Sequence, residues 1–273
     1  MMKHILFIIA IGFASAGHCL AQQKDSLAGL KLFIKVCNSY KQLPVQVDVD
    51  ITHSANLIID AEDSSHMLAK FSLRKEGSYI GLGEMEQIAN DSMILLVSNK
   101  MKKMLVYTHQ HSVSEQMQLS LGWQLKDSSL QRVAGRYAVG RTGGSKDTAE
   151  ISLTARTRVR LTSLPAEVVR VRYDPVSLQP YEIRQVRRTI RRLTEADYRS
   201  LSKEPSVRED MFVHSDSSYY FIREQISVFR YDRISHIPET RLPVIMEDRI
   251  IKDGNGNYQP VSKYEAYSVS REF

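Results

Sequence analysis

The sequence has little cysteine and no long apolar run. Cysteine occurs only at Cys19 and Cys37 among 273 residues, and if Cys19 leaves with a leader peptide, Cys37 has no partner for an internal disulfide. The apolar run Ile5–Phe13 is too short for a membrane-spanning helix, which needs about 20 apolar residues. No later run is longer. The sequence therefore predicts a chain that folds around a hydrophobic core and spans no membrane.

Motifs of common enzyme classes are also missing. The chain has no nucleophile elbow, no HExxH, no phosphate loop and no convincing Ser/His/Asp signature. His109 and His111 share a face if their segment is a strand, and Glu115 is the nearest candidate for a third metal ligand. Two histidines without a clear third ligand bind metal weakly, and surface histidines explain the pattern as well. We therefore predict no catalytic residues, no metal and no cofactor, with a hydrolase as the least favoured alternative.

The first 21 residues have the pattern of a signal peptide. The apolar run Ile5–Phe13 precedes two small-residue sites, Ala14–Ala16 and Cys19–Ala21, either of which suits a signal peptidase. We expect residues 1–21 to be a signal peptide and the mature protein to lie in the periplasm or outside the cell. A lipidated Cys19 is the alternative, although the residues before it do not match a lipoprotein signal.

Positive charge exceeds negative charge. The net charge is +6, and it falls to about +5 when Lys3 leaves with the leader. An exported protein does not ordinarily meet nucleic acid, so the excess suits anionic lipid, glycan or an acidic partner, or has no specific function. The expected partners are a lipid or lipoprotein and an envelope protein. Contact with a membrane would be peripheral, and the oligomeric state is left open.

One amphipathic helix is predicted near the start of the mature chain. In Ser26–Gln42, apolar residues recur at intervals of three and four, and Pro44 ends the pattern. Cys37 lies on the apolar stripe and is expected to be a small buried residue. Val45–His53 then alternates between apolar and polar residues, which predicts a half-buried strand.

Further strands are predicted along the rest of the chain. Met93–Val97 and Met104–Thr108 flank a polar break and form a predicted β-hairpin, with Met93, Leu95 and Val97 on one face. Ile183–Leu193 fits a helical stripe, but the flanking segments are β, so we predict a strand. Thr194, together with Asp197 three residues later, is expected to cap a short helix.

Arginine is concentrated in the second half of the chain. Arg156, Arg158 and Arg160 fall on one face of a predicted strand, and Arg170 and Arg172 repeat the spacing in the next one. The order of one helix followed by strand after strand predicts an α+β, mostly antiparallel β fold. We expect a curved sheet or half-open β-barrel packed around the N-terminal amphipathic helix, with residues 22–273 forming a single β-rich domain.

Three stretches resemble the lipoprotein carrier (LolA-like) superfamily. They are the helix and strand of Leu30–Val49, the hairpin Leu95–Tyr107, and the turn Tyr173–Pro175 with Leu178 and Pro180 beyond it. The resemblance implies a half-open barrel with a helical lid that carries a hydrophobic ligand in the periplasm. The chain departs from a minimal carrier in its long segment Ser202–Arg241, and no arginine can be assigned as the one that latches the lid in some carriers.

The sequence thus favours a non-catalytic exported carrier or binder of a hydrophobic, lipid-like or lipoprotein ligand. The apolar residues expected to line its site are Val47, Val49, Ile51, Phe71, Leu73, Leu95, Val97, Leu105 and Tyr107. The residues expected to form a rim for an anionic head group are Arg156, Arg158 and Arg172. An envelope assembly or interaction protein with the same fold and no ligand is the alternative.

Overall fold

The structure is a computed structural model. It describes residues 27–39, 42–108, 127–142, 147–204, 207–237 and 245–272. The predicted signal peptide with Cys19, and the histidine pair His109 and His111 with Glu115, lie outside the described residues.

The described residues contain three α-helices and 15 strands. In chain order they are α1 (27–37), β1 (Val45–Ala55), β2 (Ser64–Leu73), β3 (Ser78–Leu82), β4 (Met85–Ala89), β5 (Met93–Ser98), β6 (Lys103–Thr108), α2 (Asp127–Arg136), β7 (Tyr137–Thr142), β8 (Ala149–Ala155), β9 (Glu167–Tyr173), β10 (Pro180–Leu193), α3 (Glu195–Leu201), β11 (Phe212–Ser215), β12 (Ser218–Ser235), β13 (Ile250–Lys252), β14 (Tyr258–Pro260) and β15 (Ser268–Glu272). The pairs β1–β2 through β5–β6 are antiparallel, as are β7–β8, β8–β9 and β9–β10, whereas β15 pairs with β6 in parallel. The predicted mostly antiparallel β class is confirmed.

Contacts divide the described chain into two compact units. Unit 1 takes residues 27–37, 55–59 and 127–226, and unit 2 takes residues 38–54, 60–108 and 227–272. Strand β12 gives its residues up to Ile226 to unit 1 and the remainder to unit 2. That residues 22–273 form one domain stays a prediction.

In unit 1, the strand order is β12–β10–β9–β8–β7, with β11 paired to β12. Helix α1 packs on this sheet, because its residues Leu30, Phe33 and Val36 form one buried cluster with Ile151 of β8 and Val171 of β9. The predicted apolar stripe of the N-terminal helix is confirmed, and Cys37 is buried on it as expected. The helix ends at Cys37 and is therefore shorter than the predicted Ser26–Gln42. The predicted strand over Ile183–Leu193 is confirmed as part of β10.

The predicted strand through Arg156, Arg158 and Arg160 is wrong. Strand β8 ends at Ala155. The residues from there to Ser163 form a loop of bends and turns in which Arg158 makes only an isolated antiparallel bridge with Pro165. The Val159 amide donates to the carbonyl of Leu164 at 2.9 Å, and the Thr162 hydroxyl donates to the carbonyl of Val159 at 3.0 Å. These short-range hydrogen bonds close a loop that an alternating sequence pattern does not reveal.

Helix α3 confirms the predicted cap. The Asp197 amide donates to the Thr194 hydroxyl at 3.1 Å, and the Thr194 amide donates to the Asp197 carboxylate at 3.3 Å. Each end of this capping box satisfies a backbone N–H that the first turn leaves without a helical partner.

In unit 2, the strand order is β15–β6–β5–β4–β3–β2–β1–β12. The alternation in β1 is confirmed, because Val45, Val47, Val49 and Ile51 are each at most 8% exposed. The predicted hairpin is confirmed as β5–β6, whose register runs from Met93 opposite Thr108 to Ser98 opposite Lys103.

The C-terminal segment of unit 2, residues 245–272, covers one face of strands β4–β6. Its residues Met246, Ile250 and Tyr264 form a buried cluster with Leu95 and Val97, together with Ile88, Met104 and Val106. Strand β15 then extends the same sheet at β6.

A candidate apolar binding pocket

A pocket of about 120 Å³ opens on strands β2, β1 and β12 of unit 2. It is lined by Val47, Val49, Ile51, Phe71, Leu73, Phe229 and Tyr231. Five of these seven residues are among the nine that the sequence predicted, and Phe229 and Tyr231 are additions from the structure.

The pocket follows from alternation on three neighbouring strands. Val47 lies directly opposite Phe71, and every second residue of each strand points to the same face of the sheet. The central strand β1 contributes short β-branched side chains, whereas the strands on either side contribute the larger Phe71, Phe229 and Tyr231. Small side chains between large ones leave a recess.

The chemistry of the pocket is that of apolar contact. Among its seven lining side chains, only Tyr231 carries a polar group, its hydroxyl. An apolar cavity of about 150 Å³ in another protein binds benzene or xenon, and pockets for drug-sized ligands measure about 300–1,000 Å³. A pocket of about 120 Å³ therefore fits the end of a single hydrocarbon chain or one apolar side chain.

The other four predicted lining residues lie elsewhere. Directly opposed residues lie on the same face of a sheet. Phe71 is opposed to Ile80, Ile80 to Gln87, Gln87 to Leu96, and Leu96 to Leu105, so Leu105 lies on the face that bears the pocket. Leu105 and Tyr107 therefore share the face of the pocket without lining it. Leu95 and Val97 point to the opposite face, beneath the C-terminal segment, and both are fully buried. The nine predicted residues do not form one lining.

The sequence did contain a signal for the two missed residues. Phe229 and Tyr231 are aromatic and two residues apart, so they share a face if their segment is a strand. The sequence pattern does not reveal that this strand pairs with β1, some 180 residues earlier in the chain. In Met93–Val97, both faces of the strand are apolar, so alternation does not say which face meets the pocket.

The arginines of the predicted rim belong to the other unit. Arg156, Arg158 and Arg172 are exposed residues of unit 1, and all lining residues of the pocket belong to unit 2. Among the described residues, no group of three His, Cys, Asp or Glu side chains could hold a metal ion.

Unit 1 contains a hydrogen-bonded polar cluster around the Glu167 carboxylate. The Glu167 carboxylate accepts hydrogen bonds from the Tyr137 hydroxyl, the Gln185 amide and, at 3.2 Å, from Nε of Arg187. Burial opposes ionisation of Glu167, but these hydrogen bonds outweigh it and lower the pKa of Glu167. Burial, followed by the hydrogen bond to Glu167, raises the pKa of Tyr137 to about 12. The carboxylate is satisfied and the phenol holds its proton, which is typical of a structural cluster.

No protein-family model matches the chain, and no curated protein matches its sequence. In fold, it is similar to a LolA superfamily protein from Nitrosomonas europaea, with 11% identity and a TM-score of 0.25 over 76% of this chain and 92% of that one. It is similar to a chain of the MucA/MucB complex of Pseudomonas aeruginosa, with 10% identity and a TM-score of 0.31 over 78% of this chain and 59% of that one.

A third similar structure is a putative outer membrane lipoprotein-sorting protein domain from Vibrio parahaemolyticus, with 7% identity and a TM-score of 0.21 over 77% of this chain and 92% of that one. What those three proteins bind is a property of those proteins. No helix in the described chain is long and apolar enough to cross a membrane.

Proposed function

We propose that this protein is a non-catalytic, exported binding protein whose unit 2 pocket takes the apolar end of a lipid-like ligand. The observation that carries the proposal is the recess of about 120 Å³ on β2, β1 and β12, with seven lining side chains and a single hydroxyl among them. A lining of this kind recognises hydrocarbon, and its one polar group, the Tyr231 hydroxyl, has no other titratable or nucleophilic side chain beside it among the lining residues.

The size of the pocket sets how tightly it can hold a ligand. Burial of apolar surface contributes about 25 cal/mol per Å², so about 100 Å² of a chain end contributes roughly 2.5 kcal/mol. That is a modest share of a micromolar affinity, which corresponds to about 8 kcal/mol. The site suits reversible loading and release, as a carrier needs.

An envelope interaction protein is the second candidate function. The same small volume also fits one apolar side chain of a partner protein, and a buried anchor of this type commonly dominates a protein interface. The two candidates differ in what co-purifies with the protein, a lipid or a polypeptide.

The test combines mass spectrometry with a displacement assay. Protein purified from its native envelope is examined for bound lipid, and stripped protein is titrated with a fluorescent fatty acid. In Phe71→Trp, the larger ring narrows the pocket, and we expect affinity to fall at least tenfold. The matched control is Leu68→Trp, which adds an indole to the same strand on its other face, where Leu68 is 57% exposed.

Melting temperatures of both variants show whether each remains folded. Retained affinity in folded Phe71→Trp would place binding outside the pocket. Absence of both bound lipid and fatty-acid binding in the wild type would contradict the carrier function, and a co-purifying polypeptide would favour the second candidate.

A further inference from the structure

The positive charge of the chain is concentrated in two adjacent strands of unit 1. Strands β9 and β10 contain seven arginines and two glutamates, a balance of +5, and the whole chain carries +6. An uneven distribution of this kind creates a local positive potential that attracts anions.

Several of these arginines have partners in the structure. Arg187 donates to Glu167, Arg188 pairs with Glu224 at 2.7 Å, and Arg192 donates to the Ser218 hydroxyl. Arg172 lies directly opposite Glu150 on one side and Glu182 on the other. The remaining arginines are Arg170, Arg184 and Arg191.

Arg170 and Arg184 face each other. They are directly opposed in the register of β9 and β10, and both are exposed. Opposed residues in an antiparallel pair have Cβ atoms about 4.5–5.5 Å apart, and like charges at that separation are destabilising. Neither arginine forms an ion pair with a carboxylate of the described chain. The pair thus opposes stability at a surface position.

The same row of the sheet continues with a hydroxyl and a glycine. Ser152 of β8 lies directly opposite Arg170, and Gly140 of β7 lies directly opposite Ser152. A Cβ at position 140 would lie 2.7 Å from the Ser152 hydroxyl oxygen, so any side chain there would crowd that hydroxyl. Glycine leaves the hydroxyl open beside the two guanidinium groups.

We propose that the row Ser152, Arg170 and Arg184 is a binding site for one phosphate group of a small phosphate monoester. Two guanidinium forks and a hydroxyl offer donors to three or more oxygens, which matches a phosphate better than the two oxygens of a carboxylate. Binding removes the repulsion between the two arginines, so the free protein holds the site ready at a cost in stability. The site is in unit 1, and it stands without the proposed apolar pocket.

The neighbouring row favours a small ligand over a charged membrane surface. Glu150 and Glu182 flank Arg172 on the same face, and carboxylates at that spacing would repel a flat array of anionic head groups. The row on the other side of the proposed site, Val168 and Val186, carries no charge.

Isothermal titration calorimetry at low ionic strength tests the site with glycerol 3-phosphate and with inorganic phosphate. We expect Arg170→Gln and Arg184→Gln each to weaken binding of both probes at least tenfold. Arg191→Gln is the control, because it removes the same charge from an exposed position of β10 on the opposite face and should leave binding unchanged. Ser152→Ala should weaken binding less than either arginine change.

Stability provides the independent readout. Without ligand, Arg170→Gln and Arg184→Gln should melt at or above the temperature of the wild type, because the like-charge contact is gone. Equal weakening in all three arginine variants would show diffuse electrostatic attraction and overturn the site. So would acetate binding as tightly as phosphate, binding only to phosphatidylglycerol vesicles, or lower melting temperatures in both site variants.

Discussion

At the scale of single residues, the Glu167 carboxylate shows how burial and hydrogen bonding compete. Its side chain is 21% exposed, and burial alone would raise its pKa. Donors from Tyr137, Gln185 and Arg187 surround it, and the net result is a lowered pKa. A group whose folded pKa lies below its unfolded value binds fewer protons when folded, so it contributes stability above the unfolded pKa, about 4.3.

We predict that Glu167→Gln lowers the free energy of unfolding at pH 7 by about 1 kcal/mol. The amide oxygen still accepts hydrogen bonds, but the charge that strengthens them is lost. The difference from the wild type should shrink as the pH falls from about 4.3 through the lowered folded pKa of Glu167, where the wild-type carboxyl takes up its proton. Urea unfolding at a series of pH values measures this difference.

Glu195→Gln is the control for that series. Glu195 pairs with Arg199 on the surface of α3, where the two side chains are 62% and 72% exposed. Exposed pairs four residues apart contribute about 0.3–0.5 kcal/mol, so this change should have little effect. A pH-independent loss in Glu167→Gln would contradict the role of the ionised carboxylate.

At the scale of elements, the C-terminal segment is held on strands β4–β6 by a polar link as well as by apolar packing. Arg249 pairs with Glu86 at 2.9 Å, and the two side chains are 11% and 12% exposed. The other oxygen of Glu86 accepts from the Asn99 amide at 2.9 Å, and the Tyr267 hydroxyl donates to Asn99 at 3.0 Å. A chain of hydrogen bonds thus connects the segment to the hairpin.

We predict that Arg249→Met lowers the free energy of unfolding by about 3–5 kcal/mol, because it leaves the Glu86 carboxylate buried without its partner. The double variant Arg249→Met with Glu86→Leu should recover much of that loss, since it removes both charges. Guanidinium unfolding of the two single variants and the double variant completes the cycle. Additive losses would show that the two charges do not interact.

The sequence predicted features that depend on residues close together in the chain, and it missed contacts between residues far apart. The alternation of β1, the stripe of α1 and the cap at Thr194 were predictable, because each is a pattern among near neighbours. The Arg249–Glu86 pair joins residues 163 apart, and the cover over Leu95 comes from the same distant segment. No local pattern indicates which face of an all-apolar strand such a segment will occupy.

The two faces of β5 should differ in how much their side chains contribute to stability. Leu95 is fully buried beneath the C-terminal segment, whereas the adjacent Leu96 points to the other face and is partly exposed. Leu95→Ala should lower the free energy of unfolding by about 2–5 kcal/mol, and Leu96→Ala should lower it by less. Chemical unfolding of the two variants measures the difference, and equal losses would contradict the placement of the C-terminal segment.

At the scale of the whole molecule, each unit contains buried apolar clusters of its own. The cluster around α1 belongs to unit 1. The pocket and the cluster that contains Leu95 belong to unit 2. A ligand that binds only the folded state raises stability by RT ln(1 + [L]/Kd), whatever the details of its contacts. Binding in the pocket must therefore appear in the thermal unfolding of the unit that contains it.

We predict that a saturating fatty acid raises the melting temperature of the wild type. At 100 times Kd the gain is about 2.7 kcal/mol, or roughly 5–11 °C for a chain of this size. Leu68→Trp should show the full shift, and Phe71→Trp should show little. If calorimetry resolves two transitions, the one that the ligand raises should be the one that Leu95→Ala lowers, because both sites lie in unit 2. A ligand shift confined to the transition that Glu167→Gln lowers would place the binding site in unit 1 and contradict the pocket.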